Sequence, residues 1–288
     1  MRGGARRRAG IRNSPQGGPA LLRDNDDTMT PAWGTRTRPG NFTIHPAADP
    51  VRPLSPARDT MHFSGILFDL DGTLLDTIPD LADAANAMRQ DMGLAPLAQD
   101  IIATYVGKGV EQLVIRTLGH EGPPASVDMV MRGLARYQDH YRALNGQRSR
   151  LYPGVLAGLE AFREQGARLA VVTNKGTEFA IPLLRQMSLD GYFDAVVCGD
   201  TCERKKPDPM PLFHACDLLG ITPAQALFIG DSINDALAAN AAGMRVLALP
   251  YGYNEGHPVQ SLPVDAIVDS IVEAAQWAAD ATSQTEHA

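Results

Sequence analysis

Five short apolar segments, separated by longer amphipathic stretches, most constrain the fold of this chain. The apolar segments span residues 65–68, 168–172, 195–197, 226–229 and 245–249. Their nearly continuous hydrophobicity is typical of parallel strands that are buried on both faces. The stretches that follow have helical periodicity, at 154–165, 178–187, 211–219 and 235–242. We therefore expect a doubly wound, three-layer α/β domain with a mostly parallel sheet, similar to a Rossmann fold.

A long interval after the first strand interrupts this alternation. It has helical periodicity at 81–92, 100–105, 110–118 and 127–144, and no strand pattern before Tyr152. Because it leaves the carboxyl end of a strand, where ligands of open α/β sheets bind, we expect a helical cap over the site. The expected divisions are 61–77 with 151–278 for the α/β core, 78–150 for the cap, and 279–288 for a flexible tail.

Polar side chains follow the ends of the first four strands. In chain order they are Asp69, Asp71, Thr173, Asn174, Lys206, Asp231 and Asp235. A single aspartate at a strand end commonly caps a helix or a turn. Parallel strands bring their carboxyl ends to one edge of the sheet, however, so the complete set predicts a functional site.

The residue types at this edge favour phosphate chemistry. Converging carboxylates repel one another unless a cation compensates them, and hard oxygen ligands suit Mg²⁺. Since Mg²⁺ commonly binds substrate phosphate as well, the hydroxyl, amide and ammonium groups nearby could hold the phosphate oxygens. One aspartate could then attack phosphorus while the other serves the leaving group, through an aspartyl phosphate.

These motifs resemble those of the haloacid dehalogenase superfamily of phosphohydrolases over residues 63–276. The matching motifs, in the family's order, are DLDGT at 69–73, TN at 173–174, KPDP at 206–209 and GDSIND at 230–235. The resemblance implies that Asp69 is the nucleophile and Asp71 the general acid and base. It further implies that Mg²⁺ binds Asp69, the Asp71 main-chain oxygen and Asp231. The residues implied to bind the phosphoryl group are Thr173, Asn174 and Lys206. Asp235 is implied to support the metal site.

Within the superfamily the chain is most similar to the phosphoglycolate phosphatases. The similar segments are 76–77, 152–155, 199–201, 205–207 and 251–254. This similarity implies hydrolysis of 2-phosphoglycolate to glycolate and phosphate. Phosphatases of pyrophosphate or sugar phosphates, and a mutase similar to β-phosphoglucomutase, share the same motifs and remain alternatives. The presence of both Asp69 and Asp71 disfavours a dehalogenase, a phosphonate hydrolase and a catalytically silent binding protein.

Lys108 lies between two glycines in a break between cap helices. Such a loop can reach into a site, where the ammonium would bind the carboxylate of a carboxylated phosphate. The alternative is a solvent-exposed loop lysine. We carry Lys108 forward as a candidate substrate-binding residue.

The first sixty residues differ in composition from the remainder. They are rich in Arg, Pro and Gly, lack an apolar period and carry net positive charge, although the whole chain carries −7. We expect a disordered extension, with Met61 as an alternative translation start. A transit peptide is disfavoured by its aspartates and prolines, and an RNA-binding arm by its few aromatic residues.

Composition also limits the location and partners of the protein. The chain is 44% hydrophobic and 20% charged, and no segment approaches the roughly 18 consecutive apolar residues that a membrane helix needs. Three cysteines without a secretory signature favour a reducing compartment, so we expect the cytoplasm. The expected partner is a small phosphorylated metabolite rather than nucleic acid or membrane; the sequence leaves monomer and homo-oligomer open.

Overall fold

The computed structural model describes residues 63–286, so the expected extension over residues 1–60 lies outside the described residues. In chain order the strands are β1 (Gly65–Phe68), β2 (Leu75–Asp76), β3 (Arg150–Leu151), β4 (Arg168–Val172), β5 (Ala195–Val197), β6 (Ala226–Gly230), β7 (Arg245–Ala248) and β8 (Ala266–Ile267). Six of them form one sheet in the order β5-β4-β1-β6-β7-β8, and every neighbouring pair is parallel. The expected α/β fold is confirmed.

Nine α-helices accompany these strands within the described residues. They are α1 (Ile78–Asp91), α2 (Gln99–Ala103), α3 (Val110–Leu118), α4 (Val127–Leu144), α5 (Val155–Glu164), α6 (Thr177–Gln186), α7 (Met210–Leu219), α8 (Ile233–Ala242) and α9 (Ile271–Glu286). None of them is both long and apolar enough to cross a membrane.

The sheet is covered on both faces, which explains why its strands are almost entirely apolar. Ile66 and Phe68 of β1 belong to a hydrophobic cluster with α5, α6 and α9. Leu67, between them, belongs to a second cluster with α7 and α8 on the opposite face. Because successive strand residues point to opposite faces, each strand residue contributes to one of two cores.

Three short elements differ from the sequence expectation. β2 and β3 pair antiparallel where the chain enters and leaves the cap, in an interval expected to contain no strand. β8 adds a further parallel strand beside β7. Each of these strands has two residues, and two residues are too few to produce a recognisable pattern.

The C-terminal residues also differ from the expectation. Helix α9 continues to Glu286, so residues 279–286 are helical where the sequence predicts a flexible tail. Its inward residues Ala274, Ala278 and Ala281 pack against the core cluster that contains β1, and this packing supports the helix past residue 278.

Helices α1 to α4, which we call the cap, pack together around a hydrophobic cluster that also includes Phe179 of α6. Asp80, fully buried on α1, fixes the point where the cap returns to the sheet. Its carboxylate accepts hydrogen bonds from the backbone N–H groups of Gly146, Arg148 and Ser149, at 3.0, 2.8 and 2.9 Å, and from the Ser149 hydroxyl. This network ties the start of α1 to the segment just before β3 and so holds the two ends of the cap together.

Candidate active site

Asp69 is the first residue after β1 and lies at the carboxyl end of that strand. Its N–H donates to Ile229 O of the neighbouring strand β6 at 3.0 Å, so the sheet hydrogen bonding continues to this residue. The chain then turns, and Leu70 O accepts hydrogen bonds from the N–H groups of Leu74 and Leu75. The turn uses Gly72 at φ +92°, a conformation that glycine adopts readily.

Lys206 connects Asp69 to the end of a second strand. The Lys206 ammonium is buried and lies 2.8 Å from Asp69 Oδ1, 2.7 Å from Asp235 Oδ1 and 2.7 Å from Val172 O. Burial lowers the pKa of this ammonium, but the two carboxylates outweigh burial and hold the pKa above its ordinary value. Lys206 is therefore charged at neutral pH.

Asp231 and Asp235 reach the site from β6 and α8. Asp235 Oδ2 accepts hydrogen bonds from the N–H groups of Asp231 and Ser232, at 3.2 and 3.0 Å, which caps the start of α8. Asp231 Oδ1 accepts from the Thr73 hydroxyl at 2.9 Å, and its Oδ2 accepts from Tyr253 N–H at 2.7 Å. Each carboxylate is thereby fixed in orientation.

The cluster of Asp69, Asp231 and Asp235 has the character of a divalent cation site. One oxygen from each of the three buried carboxylates lies within 4.8 Å of the others. Burial and the neighbouring carboxylates raise the pKa of Asp69 to about 7, although Lys206 opposes this shift, and they raise that of Asp231 well above its ordinary value. Three carboxylates and one ammonium leave two negative charges uncompensated, so the donor set fits a divalent cation such as Mg²⁺.

Two glycines allow the chain to pass close to Asp231. A Cβ atom at Gly72 or at Gly252 would collide with the Asp231 side chain. The loop after β7 can therefore close over this carboxylate, and it also places the Tyr253 hydroxyl where it accepts a hydrogen bond from Thr77 N–H at 2.8 Å. Tyr253 thus links the cation site to the start of α1.

Asp71 has separate partners from Asp69. Its Oδ1 accepts hydrogen bonds from the Thr77 hydroxyl at 2.6 Å and from the Lys175 ammonium at 2.8 Å. Both contacts use the same carboxylate oxygen. The two aspartates nearest the first strand therefore lie in different electrostatic environments.

Thr173 and Asn174 follow β4 and have different hydrogen-bond partners. Thr173 lines the cavity described below, and its hydroxyl accepts a hydrogen bond from Lys175 N–H at 3.1 Å. The Asn174 amide donates to Gly107 O at 2.8 Å and to Lys206 O at 2.9 Å. The Asn174 side chain therefore joins a cap loop to the Lys206 loop, and it also lines the cavity. Its contact with phosphate stays a prediction.

A cavity that is partly open to solvent lies between the cap and the strand ends. Its polar lining comes from Asp69, Asp71, Tyr137, Tyr141, Thr173, Asn174 and Lys175. Apolar side chains of the cap, among them Leu81, Val110 and Leu113, line the remainder. The cavity brings both aspartates of the first motif to one space under the cap.

Lys108 lies outside the lining of this cavity. The flanking residues Gly107 and Gly109 line it, but the Lys108 side chain is 43% exposed and its Nζ lies 2.7 Å from Glu255 Oε1. Glu255 also pairs with Arg116 at 2.9 Å. In this conformation Lys108 links the cap to the loop after β7 and makes no contact with the cavity.

Three residues of the cavity received no role from the sequence. Lys175 directly follows the Thr-Asn motif, and that position was its only sequence signal. Tyr137 and Tyr141 are four residues apart on α4, a spacing that by itself predicts ordinary packing on one helix face. The only sequence signal that could have pointed to these two residues as site residues was the presence of two tyrosines on one face of the longest cap helix.

Known proteins resemble this chain along most of its described length. Residues 66–249 match the family described as haloacid dehalogenase-like hydrolase. A phosphoglycolate phosphatase of Nitrosospira multiformis is 51% identical over 220 residues, which are 74% of this chain and 96% of that protein. A phosphoglycolate phosphatase of Thiobacillus denitrificans is 46% identical over 211 residues, 73% of this chain and 93% of that protein.

Solved structures show the same similarity. A predicted phosphoglycolate phosphatase from Haemophilus somnus superposes with a TM-score of 0.70 at 35% identity, covering 75% of this chain and 97% of that one. CbbY from Rhodobacter sphaeroides, solved in complex with phosphate, gives a TM-score of 0.62 at 27% identity, covering 73% and 96%. The chain therefore belongs to the haloacid dehalogenase-like hydrolases and is a phosphatase of that family.

Proposed function

We propose that the chain is an Mg²⁺-dependent phosphomonoester hydrolase that converts 2-phosphoglycolate to glycolate and phosphate through an aspartyl phosphate. The observation that carries this proposal is the position of Asp69 and Asp71 in one cavity, with Asp69 held by Lys206 and Asp71 held separately by Thr77 and Lys175. Two carboxylates in different environments can perform two different steps.

In the first step, an oxygen of the Asp69 carboxylate attacks phosphorus. A bond forms between that oxygen and phosphorus, the bond from phosphorus to the glycolate oxygen breaks, and Asp71 gives its proton to the departing oxygen. Lys206 stabilises the charge that develops on the phosphoryl oxygens, because its buried ammonium lies beside Asp69. The Thr173 hydroxyl, which lines the same cavity, can donate to those oxygens.

In the second step, water attacks phosphorus from the side that glycolate left. Asp71 accepts the proton of the attacking water, and the bond from phosphorus to the Asp69 oxygen breaks. Phosphate leaves, Asp69 regains its carboxylate, and Asp71 is protonated again for the next cycle. One residue therefore acts first as acid and then as base.

Asp69, the main-chain oxygen of Asp71 and Asp231 would hold the Mg²⁺ ion. Bound there, Mg²⁺ supplies charge neutralisation for the phosphate and for the crowded carboxylates. Asp235 orients Asp231 through its backbone N–H and holds Lys206, so it supports the site without contacting substrate. We assign this reaction to the cytoplasm as part of the same proposal.

The relatives with 51% and 46% identity are both named phosphoglycolate phosphatase, which supports this substrate over the alternatives. The test is phosphate release by the purified full chain from 2-phosphoglycolate, pyrophosphate and β-glucose 1-phosphate, with Mg²⁺ and after chelation. We expect the highest kcat/KM on 2-phosphoglycolate and loss of activity with the chelator. Preference for either of the other substrates, or conversion of β-glucose 1-phosphate to its 6-phosphate, would replace this assignment by a related phosphatase or a mutase.

A further inference from the structure

Two tyrosines that line the cavity, Tyr137 and Tyr141, have no role in the reaction proposed above. Tyr137 and Tyr141 are 1% and 2% exposed, and neither phenol hydroxyl has a hydrogen-bond partner within the described residues. An unpaired buried hydroxyl is costly, commonly by about 1–3 kcal/mol. Two such hydroxyls in the lining of one cavity indicate that a ligand is their partner.

Lys175 lies beside these tyrosines. Its side chain is 5% exposed, its Nζ lies 5.0 Å from the centre of the Tyr141 ring, and it hydrogen-bonds Asp71 Oδ1 at 2.8 Å. An ammonium has three N–H donors, and this hydrogen bond uses one of them. Among the described residues that line the cavity, Lys175 is the only basic one.

We propose that Lys175, Tyr137 and Tyr141 form a subsite that binds the carboxylate of the substrate and thereby selects small carboxylated phosphate esters. This inference rests on the proposed function, because it assigns the group that the phosphatase recognises beyond the phosphate. It makes Lys175 and the two tyrosines specificity-determining residues of the cavity.

The chemistry of the three groups matches an anion. Burial raises the pKa of both phenols well above the ordinary value, so each keeps its proton and donates a hydrogen bond. Two hydroxyl donors and one ammonium complement the oxygens of a carboxylate. A cationic group on the substrate would instead be repelled by the Lys175 ammonium. A neutral hydroxyl would make a weaker hydrogen bond with the ammonium than a carboxylate does.

The position of the subsite also determines the size of the substrate. Lys175 contacts Asp71, and Asp71 serves the oxygen that leaves phosphorus. A carboxylate held by Lys175 is therefore close to the leaving oxygen, as it is when one carbon separates the two groups. The substrate class is consequently a short 2-phosphorylated acid. A long sugar phosphate has no carboxylate one carbon away from the leaving oxygen, so it does not fit this subsite.

The experiment measures binding and turnover with two matched pairs of compounds. The substrates are 2-phosphoglycolate and 2-hydroxyethyl phosphate, which carries a neutral hydroxymethyl group in place of the carboxylate. The non-hydrolysable ligands are 3-phosphonopropionate and 3-hydroxypropylphosphonate, whose Kd values are measured by calorimetry on the full chain with Mg²⁺. The variants are Lys175→Met, Tyr137→Phe and Tyr141→Phe.

We expect Lys175→Met to weaken 3-phosphonopropionate binding about ten- to a hundredfold more than 3-hydroxypropylphosphonate binding, the range of a charge-assisted hydrogen bond. Each Tyr→Phe variant should weaken 3-phosphonopropionate binding about three- to tenfold more than 3-hydroxypropylphosphonate binding. It should not lower Tm, because the lost hydroxyl was unpaired. Tyr105→Phe is the matched cap control, since the Tyr105 hydroxyl pairs with His120 at 2.7 Å. It should leave the preference for the carboxylate unchanged.

Lys108→Ala distinguishes the two candidate lysines. If Lys175 binds the carboxylate, Lys108→Ala changes both ligands of a pair by the same factor. A selective loss with Lys108→Ala, and none with Lys175→Met, would overturn the proposal. Equal losses on both compounds with Lys175→Met and both tyrosine variants would also overturn it, and would mean that Lys175 acts through Asp71.

The same data separate this proposal from the proposed function. If the native chain releases no phosphate from 2-phosphoglycolate but binds 3-phosphonopropionate more tightly than 3-hydroxypropylphosphonate, and Lys175→Met removes that preference, the substrate assignment fails and the carboxylate subsite stands. If the native chain hydrolyses 2-phosphoglycolate, and the variants weaken binding of both ligands by the same factor, the proposed function stands and the subsite fails.

Discussion

Lys206 Nζ lies 2.8 Å from Asp69 Oδ1 and 2.7 Å from Asp235 Oδ1, so one buried ammonium joins two carboxylates from different strand ends. The two carboxylates follow β1 and β6, while Lys206 comes from the connection after β5. This contact therefore couples the proposed nucleophile to the cation site and to the sheet. Its loss should affect both chemistry and stability.

Asp69→Asn should abolish turnover, because an amide is not a nucleophile toward phosphorus. The amide keeps the shape of the side chain, and Lys206 keeps Asp235 as its partner, so the fold should survive. Phosphate release and thermal unfolding of the variant check both parts. More than trace turnover, with contaminating phosphatase excluded, would contradict the role of Asp69 as nucleophile.

Lys206→Met should lower the free energy of unfolding by about 3–5 kcal/mol, because it leaves buried carboxylates without their cationic partner. Denaturation in urea measures the change. Lys205→Met is the matched control, since Lys205 is the preceding residue and is exposed. A similar small effect for both variants would show that the buried ammonium contributes little to stability.

Asp80→Ala should destabilise the protein by about 3 kcal/mol or more, because it removes the acceptor of several N–H groups around Gly146 and Ser149. Asp83→Ala, on the same helix, removes only a surface pair with Arg148 and should cost about 1 kcal/mol or less. Urea denaturation of both variants tests the difference. Equal costs would argue against Asp80 as the residue that fixes the cap.

The Glu255 contacts should stabilise the fold in a pH-dependent manner. Burial raises the pKa of Glu255, but Lys108 and Arg116 together outweigh burial and hold the pKa below its ordinary value of 4.5. The folded state therefore binds this proton less readily than the unfolded state. The stabilisation is complete above pH 4.5 and is lost as the pH falls through the lowered pKa.

Glu255→Gln accordingly should lower Tm at neutral pH, by an amount equivalent to about 1 kcal/mol or less, and the difference from the native chain should shrink near pH 3.5. Thermal unfolding at the two pH values measures this change. The exposed Glu203→Gln is the control, and it should show little difference at either pH. A Tm difference that is independent of pH would mean that charge at Glu255 is not responsible.

Much of the fold could be predicted from the sequence because its signals are local. Continuous apolar segments identified the five long strands of the sheet, and helical periodicity placed α3 and α4 at their observed bounds. The two-residue strands could not be predicted, since their pairing depends on residues far apart in the chain. The extension of α9 likewise depends on packing against the core.

The same distinction applies to the candidate site. The sequence by itself determined which residues gather at the strand ends, because a parallel sheet places all its carboxyl ends at one edge. Only the tertiary structure decided how side chains from distant segments pair: Lys108 with Glu255, Lys175 with Asp71, and Tyr137 and Tyr141 with the cavity. The physical reason is that a side chain's partners depend on how segments far apart in the chain pack together, and local sequence does not encode that packing.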